Sequence, residues 1–426
     1  MSNDTVVQFR KEVDGDSLTA LLREGARQLL QTAIEAELEE LLAAHRDTGN
    51  APGRCAVVRN GYLPERQVLT GIGPVAVKVP KVRDRSGEGV VFRSSLVPPY
   101  VRKARSIDAA LPWLYLKGIS TGNMQQALSV LVGQDVVGLS PAVVSRLKAK
   151  WIGEYHTWRQ HTLAKERFVY LWADGIYSSL RAEDQRLCLL VVIGVNDRGQ
   201  KQFLAIEDGV RESSDSWRAV LRDLKHRGLS LSPKLAVGDG ALGFWAALEE
   251  IYPETRHQRC WVHKTVNILN YLPRAVQPKA KAQLQEIWMA ETEPAAEQAF
   301  DHFIEVYAAK YPKAVECLAK DREVLLAFYD FRASHWAHLR TTNPIESAFA
   351  TIRHRTDKTK GSVSRATLLA LVYKLAMSAE QSFMRLRGFA LLADVIAGVK
   401  FKDGLRQDKK SEDASTMTTE LQQNAA

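Results

Sequence analysis

The sequence predicts an α+β protein: a sheet-containing core, interrupted by an all-α stretch and preceded by a mainly helical, basic region. Three observations predict it. Four apolar runs of strand length, Phe168–Ala173, Leu187–Val195, Gln202–Glu207 and Lys234–Val237, crowd into one part of the chain. Helical apolar spacing follows the third run at Ser213–Arg227 and the fourth at Leu242–Ile251. From Thr265 to about Phe331 the spacing is helical throughout, without a strand signal.

Length and composition bound the rest. The 426 residues exceed one ordinary core and predict two or three domains at ~150 residues each. Apolar residues make up 46% and charged residues 25%, which excludes a disordered or fibrous chain. No apolar run reaches 18 residues, and Met1-Ser2-Asn3-Asp4-Thr5 does not open a signal peptide, so neither a membrane span nor export is expected. Cys55, Cys188, Cys260 and Cys317 are too scattered for a disulfide scaffold, and a cytoplasmic location is the natural expectation. Net charge is +9, unevenly spread: residues 1–50 hold 10 acidic and 5 basic side chains, residues 51–160 hold 6 acidic and 16 basic. A basic stretch of that length suits a polyanion, and equally a solvated surface.

The elements follow in order. In residues 1–50, Leu18, Leu21, Leu22, Leu29, Leu30, Ile34, Leu38, Leu41 and Leu42 recur at helical spacing over Ser17–His45, which predicts one long amphipathic helix fit for a second copy or for the core. In residues 51–100, the part from 47 to 65 reads as loop, and Gln67–Thr70 with Val75–Pro80 reads as a hairpin. Residues 101–160 read as three helices, about 103–117, 121–131 and 141–158, the last opened by Ser140-Pro141. A basic third helix, with Arg146, Lys148 and Lys150, makes this a helix-turn-helix-like candidate for DNA contact. The strand-rich part, 165–264, has three turn-linked strands, then helix, strand, helix, which is the ribonuclease-H-like order. Residues 265–335 form the all-α insertion, residues 336–400 the second part of the core, and the polar residues 401–426 a disordered tail.

Three acidic residues stand where chemistry would want them. Asp174 directly follows the strand Val169–Ala173, and Asp239 follows Leu235–Val237; a glycine after each leaves room for a ligand. Glu346 lies in the first turn of a helix capped by Asn343 and opened by Pro344. Each alone could be a turn or cap residue. Together they would repel unless divalent cations neutralised them, and hard oxygen ligands suit Mg²⁺ or Mn²⁺. Two such ions about 4 Å apart can drive a phosphodiester displacement.

Local motifs extend this. Tyr170-Leu-Trp-Ala-Asp174-Gly-Ile-Tyr177 and Leu235-Ala-Val-Gly-Asp239-Gly-Ala-Leu-Gly-Phe-Trp245 resemble the two aspartate blocks of the Mutator-type family of bacterial insertion-sequence transposases. Gln258-Arg-Cys260-Trp-Val-His263 resembles the Cys-x-x-His block of that family, and Arg340-Thr-Thr-Asn343-Pro-Ile-Glu346-Ser its glutamate block. Asn60-Gly61-Tyr62 and Gly118-Ile-Ser-Thr121 resemble its N-terminal motifs, so the resemblance runs over roughly residues 55–405. It implies a DDE triad of Asp174, Asp239 and Glu346, with Asp174 bridging two Mg²⁺ ions. It also implies binding of terminal inverted repeats, strand nicking, and joining of the freed 3′ hydroxyl to DNA, by the circular intermediate expected of many members. Gly122-Asn123 and Arg332 depart from the family pattern without touching the triad.

Other residues are candidates for support. Cys260 and His263, with His257, lack the fourth partner a zinc site needs, so support of Asp239 or of a phosphate is the alternative to a core role. His335 and Trp336 precede the glutamate block, where the tryptophan could stack on a base or be buried. Arg340, Arg353, Arg355, Lys358 and Lys360 surround Glu346 with positive charge and are expected on DNA phosphates. Ser213 has no triad partners at a readable spacing. The expected protein is a homodimeric transposase acting on DNA; a metal-dependent nuclease and a catalytically dead DNA-binding regulator are the other two classes.

Overall fold

The computed structural model describes residues 17–46, 55–104, 141–179, 186–209, 211–358 and 364–407, with a few positions between 106 and 129. The chain divides into two units, residues 1–147 and 148–426. Most of the first two helices expected between 101 and 140, and the chain beyond 407, lie outside the described residues. No described helix is long and apolar enough to cross a membrane.

In the first unit, helix α1 (Ser17–Ala44) is built from strong helix formers and presents one apolar face to a small sheet layer. Strands β1 (Val57–Tyr62) and β4 (Pro80–Asp84) pair antiparallel, as do β2 (Arg66–Thr70) and β3 (Gly73–Val77). Ile34 and Leu38 of α1 close a core with Val68, Val75, Val77, Val79, Phe92 and Val97. β1 lies in a stretch that reads as loop in the sequence. Only Val57 of it is buried, so it carries no alternation to read and owes its form to pairing with β4.

The second unit is built on a five-stranded sheet in the order β7-β6-β5-β8-β9. Strands β5 (Phe168–Ser179), β6 (Arg186–Asn196) and β7 (Lys201–Gly209) run antiparallel, while β8 (Leu235–Gly238) and β9 (Arg256–Arg259) run parallel to β5. Successive side chains of a strand point to opposite faces, so both faces of β5 are apolar. On one face Leu171 and Ala173 join Val220, Leu221 and Leu224 of helix α3 (Ser214–His226) and Phe244, Ala247 and Leu248 of helix α4 (Leu242–Ile251). Burying each such valine or leucine is worth roughly 1.5–3 kcal/mol. Ser213 caps α3 by accepting from the Ser216 amide, which accounts for that serine. On the other face Tyr170 and Trp172 reach the polar bonds of the C-terminal helices: the Trp172 Nε1 donates to His338 O at 3.1 Å.

From Trp261 to Lys358 the described chain contains only helices and turns. Helices α5 (Trp261–Leu269), α6 (Gln277–Met289), α7 (Glu293–Tyr307), α8 (Pro312–Ala319) and α9 (Arg322–Leu326) enclose a core that includes Leu284, Phe300, Phe303, Leu318 and Phe328. A short helix α10 (Trp336–Leu339) leads into α11 (Asn343–Lys358), and α12 (Arg365–Glu380) packs on β7. After α13 (Leu392–Ile396), strands β10 (Phe401–Lys402) and β11 (Leu405–Arg406) form a small hairpin, so residues 401–407 are ordered where a disordered tail is expected. Buried Phe401 and the bond from Gly404 N to Tyr329 O hold that hairpin on the helical part.

Candidate active site

Asp174 stands inside β5, not after it. Parallel pairing with β8 ends at Ala173 opposite Gly238, whereas antiparallel pairing with β6 carries on through Asp174 opposite Val191. The carboxylate therefore sits where β8 leaves the sheet and opens a notch beside β5. Asp239 follows β8 at the same end, and its Oδ1 accepts the Ala241 amide at 2.8 Å, fixing a tight turn into α4. Glu346 arrives on the first turn of α11, where unpaired amides and the helix dipole favour an anion.

The helix entrance is tied down by α5. The Thr342 amide and hydroxyl lie 3.3 Å from Cys260 Sγ, and the same hydroxyl lies 3.1 Å from Glu346 Oε1. His263 Nδ1 is 3.4 Å from that hydroxyl, and its Nε2 is 3.8 Å from Glu346 Oε1. Trp261 N donates to Arg340 O at 2.9 Å, closing the junction from the backbone side. The Cys-x-x-His spacing thus places sulfur and imidazole on one turn, both facing the segment that carries Glu346. Ligand atoms of Cys260, His263 and Glu346 lie within 4.8 Å of one another, the one such group among the described residues. Asp174 and Asp239 stand outside that group.

The charges nevertheless act on each other. Burial raises the Asp174 carboxyl to about 7; His263 opposes this, while Asp239, Glu212 and Glu346 add to it. His263 is raised to about 9, first by its hydrogen bond with Cys260, against burial, then by the charges of Cys260, Asp174 and Glu346. A cationic imidazole thus acts on three carboxyl groups, those of Asp174, Glu346 and Glu212. Glu212, between β7 and α3, is the member that sequence reasoning misses. Burial and then the Asp239 charge raise its carboxyl, while the Tyr177 hydroxyl and the His263 charge oppose the rise.

The glycines after the aspartates make room for protein side chains, not directly for a ligand. A Cβ on Gly175 would overlap the Glu212 carboxyl, and one on Gly240 would overlap the Arg259 guanidinium. Gly240 also has φ +95°, a conformation that favours glycine. Arg259 and Lys264 share one partner, Asp321, from the helical stretch; Arg259 Nη1 lies 2.7 Å from it, and the Lys264 side chain is fully buried.

Several expected contacts take a different form. His335 is buried as a bridge, with Nδ1 2.9 Å from the Tyr170 hydroxyl and Nε2 3.1 Å from Gly388 O. Trp336 is buried too, its Nε1 donating to Phe331 O at 2.8 Å, so it has no face for a DNA base. Arg340 does not reach outward. Its guanidinium lies 4.8 Å from the Phe328 ring, 5.5 Å from Trp336 and 5.9 Å from Trp288, with Nη1 3.4 Å from Met289 Sδ. A flanking charge in the sequence cannot reveal that cage, because its aromatic walls come from three other segments. On helix α2 (Pro141–Arg159), Arg146 and Lys150 are exposed one turn apart, and Lys148 is half-buried. Arg353, Arg355 and Lys358 lie on α11, and Lys360 lies outside the described residues. His257 faces Glu249 at 4.0 Å and stacks on Trp245, away from the Cys260 group.

Known proteins resemble the chain along most of its length. The family model described as "Transposase, Mutator family" matches residues 2–386. The transposase for insertion sequence element IST2 of Acidithiobacillus ferrooxidans is 55% identical over 282 residues, covering 66% of this chain and 95% of that protein. The transposase for IS6120 of Mycolicibacterium smegmatis is 47% identical over 298 residues, covering 70% and 92%. The transposase for ISRM5 of Rhizobium meliloti is 28% identical over 376 residues, covering 88% and 91%. Among solved structures, the Drosophila P element transposase strand transfer complex covers 73% of this chain and 86% of that one, at 9% identity and a TM-score of 0.30, a likeness too slight to bear on fold or function.

Proposed function

The chain belongs to the Mutator family of transposases, and on that premise we propose that Asp174, Asp239 and Glu346 are the carboxylates with which it cuts and joins DNA. The observation that carries this reading is the convergence of charge on Asp174. Carboxylates from the end of β8 and from the first turn of α11 both act on that of Asp174 in β5, at one end of the sheet.

The donor set fits a hard divalent cation. All-oxygen ligands suit Mg²⁺, and a bound cation would offset both the burial that chiefly raises Asp174 and the neighbouring negative charges that add to it. Cys260, His263 and Glu346 fit zinc poorly, because the sulfur already engages Thr342 and a fourth donor is wanting among the described residues. Asp174, Asp239 and Glu346 would hold two Mg²⁺ ions, or Mn²⁺ in their place, which supply a Lewis acid for an attacking hydroxyl and a leaving 3′ oxygen. The protein's own part is positioning. Thr342 fixes Glu346 by hydrogen bond, Cys260 fixes Thr342, and cationic His263 offsets part of the negative charge.

The sheet, with three antiparallel strands continued by two parallel ones, supports a ribonuclease-H-like reading of the core, and α5–α9 would be its helical insertion. Arg146 and Lys150, with the basic residues of α11, are candidates for phosphate contact at the terminal inverted repeats. Assembly as a homodimer suits the need to hold two ends. Leu18, Leu21, Leu22 and Leu29 of α1 are exposed and offer a surface for the second copy.

The test is strand transfer in Mg²⁺ with labelled DNA carrying the ends that flank the gene, and Asp239→Asn alongside. Joined product from the wild type alone is the expected result. An Asp239→Asn protein that still joined DNA would sink the assignment, and cutting without joining would favour the nuclease.

A further inference from the structure

We propose that a cavity of the first unit, walled by Arg66, Arg93, Arg102 and Tyr100, receives an unpaired nucleotide of DNA, with the base against the Tyr100 ring and the phosphate on Arg93 and Arg102. The inference rests on DNA as the substrate and does not depend on which carboxylates do the chemistry.

The cavity lies between β2 and the loop that follows β4, and it encloses about 790 Å³. Ligand sites commonly measure roughly 300–1,000 Å³. Buried Leu69 and Phe92 contribute apolar surface that suits the flat face of a base. No aspartate or glutamate lines it, and Glu65, adjacent in sequence, is paired with Lys78 at 3.4 Å. Arg93 and Arg102 are exposed and form no ion pair among the described residues. Apolar surface beside uncompensated guanidinium groups selects a flat ring that carries an anion, which is what a nucleotide offers.

Tyr100 is the second observation. It is 93% exposed, yet its loop is tied down on both sides. Before it, Arg66 Nη2 donates to Val97 O and Pro98 O, both at 2.8 Å. After it, Leu69 N donates to Arg102 O at 2.9 Å, and Ala104 N to Leu69 O at 2.7 Å. Tyr100 is also held at φ +68°, which is strained for a bulky residue. Asp403 is the other non-glycine with positive φ among the described residues, and it has a local reason, because its Oδ1 accepts the Glu293 amide. Tyr100 has no such bond and no ring contact among the described residues. A fixed, strained and unpartnered aromatic at the rim of a cationic cavity is a stacking platform. A base inside a duplex keeps both faces stacked and cannot reach it, whereas an unpaired nucleotide can.

The test uses the full chain in EDTA and two DNA duplexes, one blunt and one with a short single-stranded tail carrying iododeoxyuridine. The wild type binds the tailed duplex more tightly, and irradiation crosslinks the tail to the tryptic peptide Ser94–Arg102. Tyr100→Phe keeps the ring and the preference. Tyr100→Gly accepts the positive φ and melts no lower than the wild type, but its preference for the tail falls by about 5- to 150-fold, as one stacked base contributes. Its affinity for the blunt duplex is unchanged. Arg102→Gln lowers the salt slope for the tailed duplex by about 0.7. An undiminished preference in Tyr100→Gly, or a crosslink confined to other peptides, overturns the proposal. Asp239→Asn crosslinks as the wild type does whether or not it joins DNA, so failure of the carboxylate assignment is read separately.

Discussion

Replacing Arg340 by alanine separates two meanings of a cation beside the proposed catalytic Glu346. The sequence places Arg340 on a DNA phosphate, whereas the structure folds it over three aromatic rings at 4.8, 5.5 and 5.9 Å. Each cation–π contact is worth about 0.5–1 kcal/mol when exposed and about 2 kcal/mol when desolvated. This guanidinium is half-buried, and burial lowers its pKa, so the three together amount to roughly 1.5–3 kcal/mol. Arg340→Ala should lower the urea midpoint of the tryptophan-fluorescence transition by that equivalent. The bond from Trp261 N to Arg340 O belongs to the backbone and should survive the substitution. A phosphate contact predicts something else: the slope of log affinity for DNA against log salt would shrink by about 0.9. We expect an unchanged salt slope and reduced stability. A slope reduced by about one unit with an unchanged urea midpoint would refute the cage as the role of Arg340.

Other perturbations probe the supports of the site. Asp321→Ala strips the shared anion from Arg259 and fully buried Lys264, and leaving such a charge uncompensated should cost about 3–5 kcal/mol in urea denaturation; a loss below about 1 kcal/mol would mean that water reaches the pair. Gly240→Ala forces a Cβ onto φ +95° against Arg259, so strand transfer should fall with the Asp239 turn even where the melting curve stays cooperative; full activity would show that Arg259 moves aside freely. His338 is held down at about 4, first by burial and then by the Lys201 and Arg387 charges, and its Nε2 accepts the Arg387 amide. Its unfolded form takes up a proton near 6.5, so stability is lost as pH falls from about 6.5 towards about 4, and His338→Gln should flatten that limb of a thermal-melt profile. An identical acid limb in the variant would remove His338 from the account.

What could be read from the sequence followed local chemistry. Asp239 and Glu346 were legible because a short strand, a turn and a capped helix each fit within a few residues. Asp174 was legible as a residue but not as a position. Its strand reads as ending at Ala173 because the apolar run ends there, yet β6 carries the ladder six residues further, to Ser178 and Ser179 among others. β9, Arg256–Arg259, has only Gln258 buried and no apolar residue, so an edge strand made by pairing alone left no pattern. Glu212 had no spacing to mark it. The usable signal was Gly175, a glycine within a strand, whose partner is 37 residues away in sequence. Arg340 was misplaced for the opposite reason, and Trp336 stayed open between stacking and burial: charge and aromaticity near a motif were visible, and the direction each side chain takes was not.

The spacing of the site along the chain has a consequence for when it can exist. Asp174 and Glu346 are 172 residues apart, and the Tyr170–His335 bridge spans nearly the same interval. At 5–20 residues per second, a ribosome needs about 9–35 s to travel from the first carboxylate to the last. Throughout that time the strands and α3–α4 can fold, but Glu346 and the helix that presents it do not yet exist. A nascent chain at that stage lacks one of the three proposed carboxylates, and on that proposal it has no competent site until Glu346 has been made. On the proposed assignment, premature termination anywhere in those 172 codons would release a protein that lacks Glu346 and cannot join DNA.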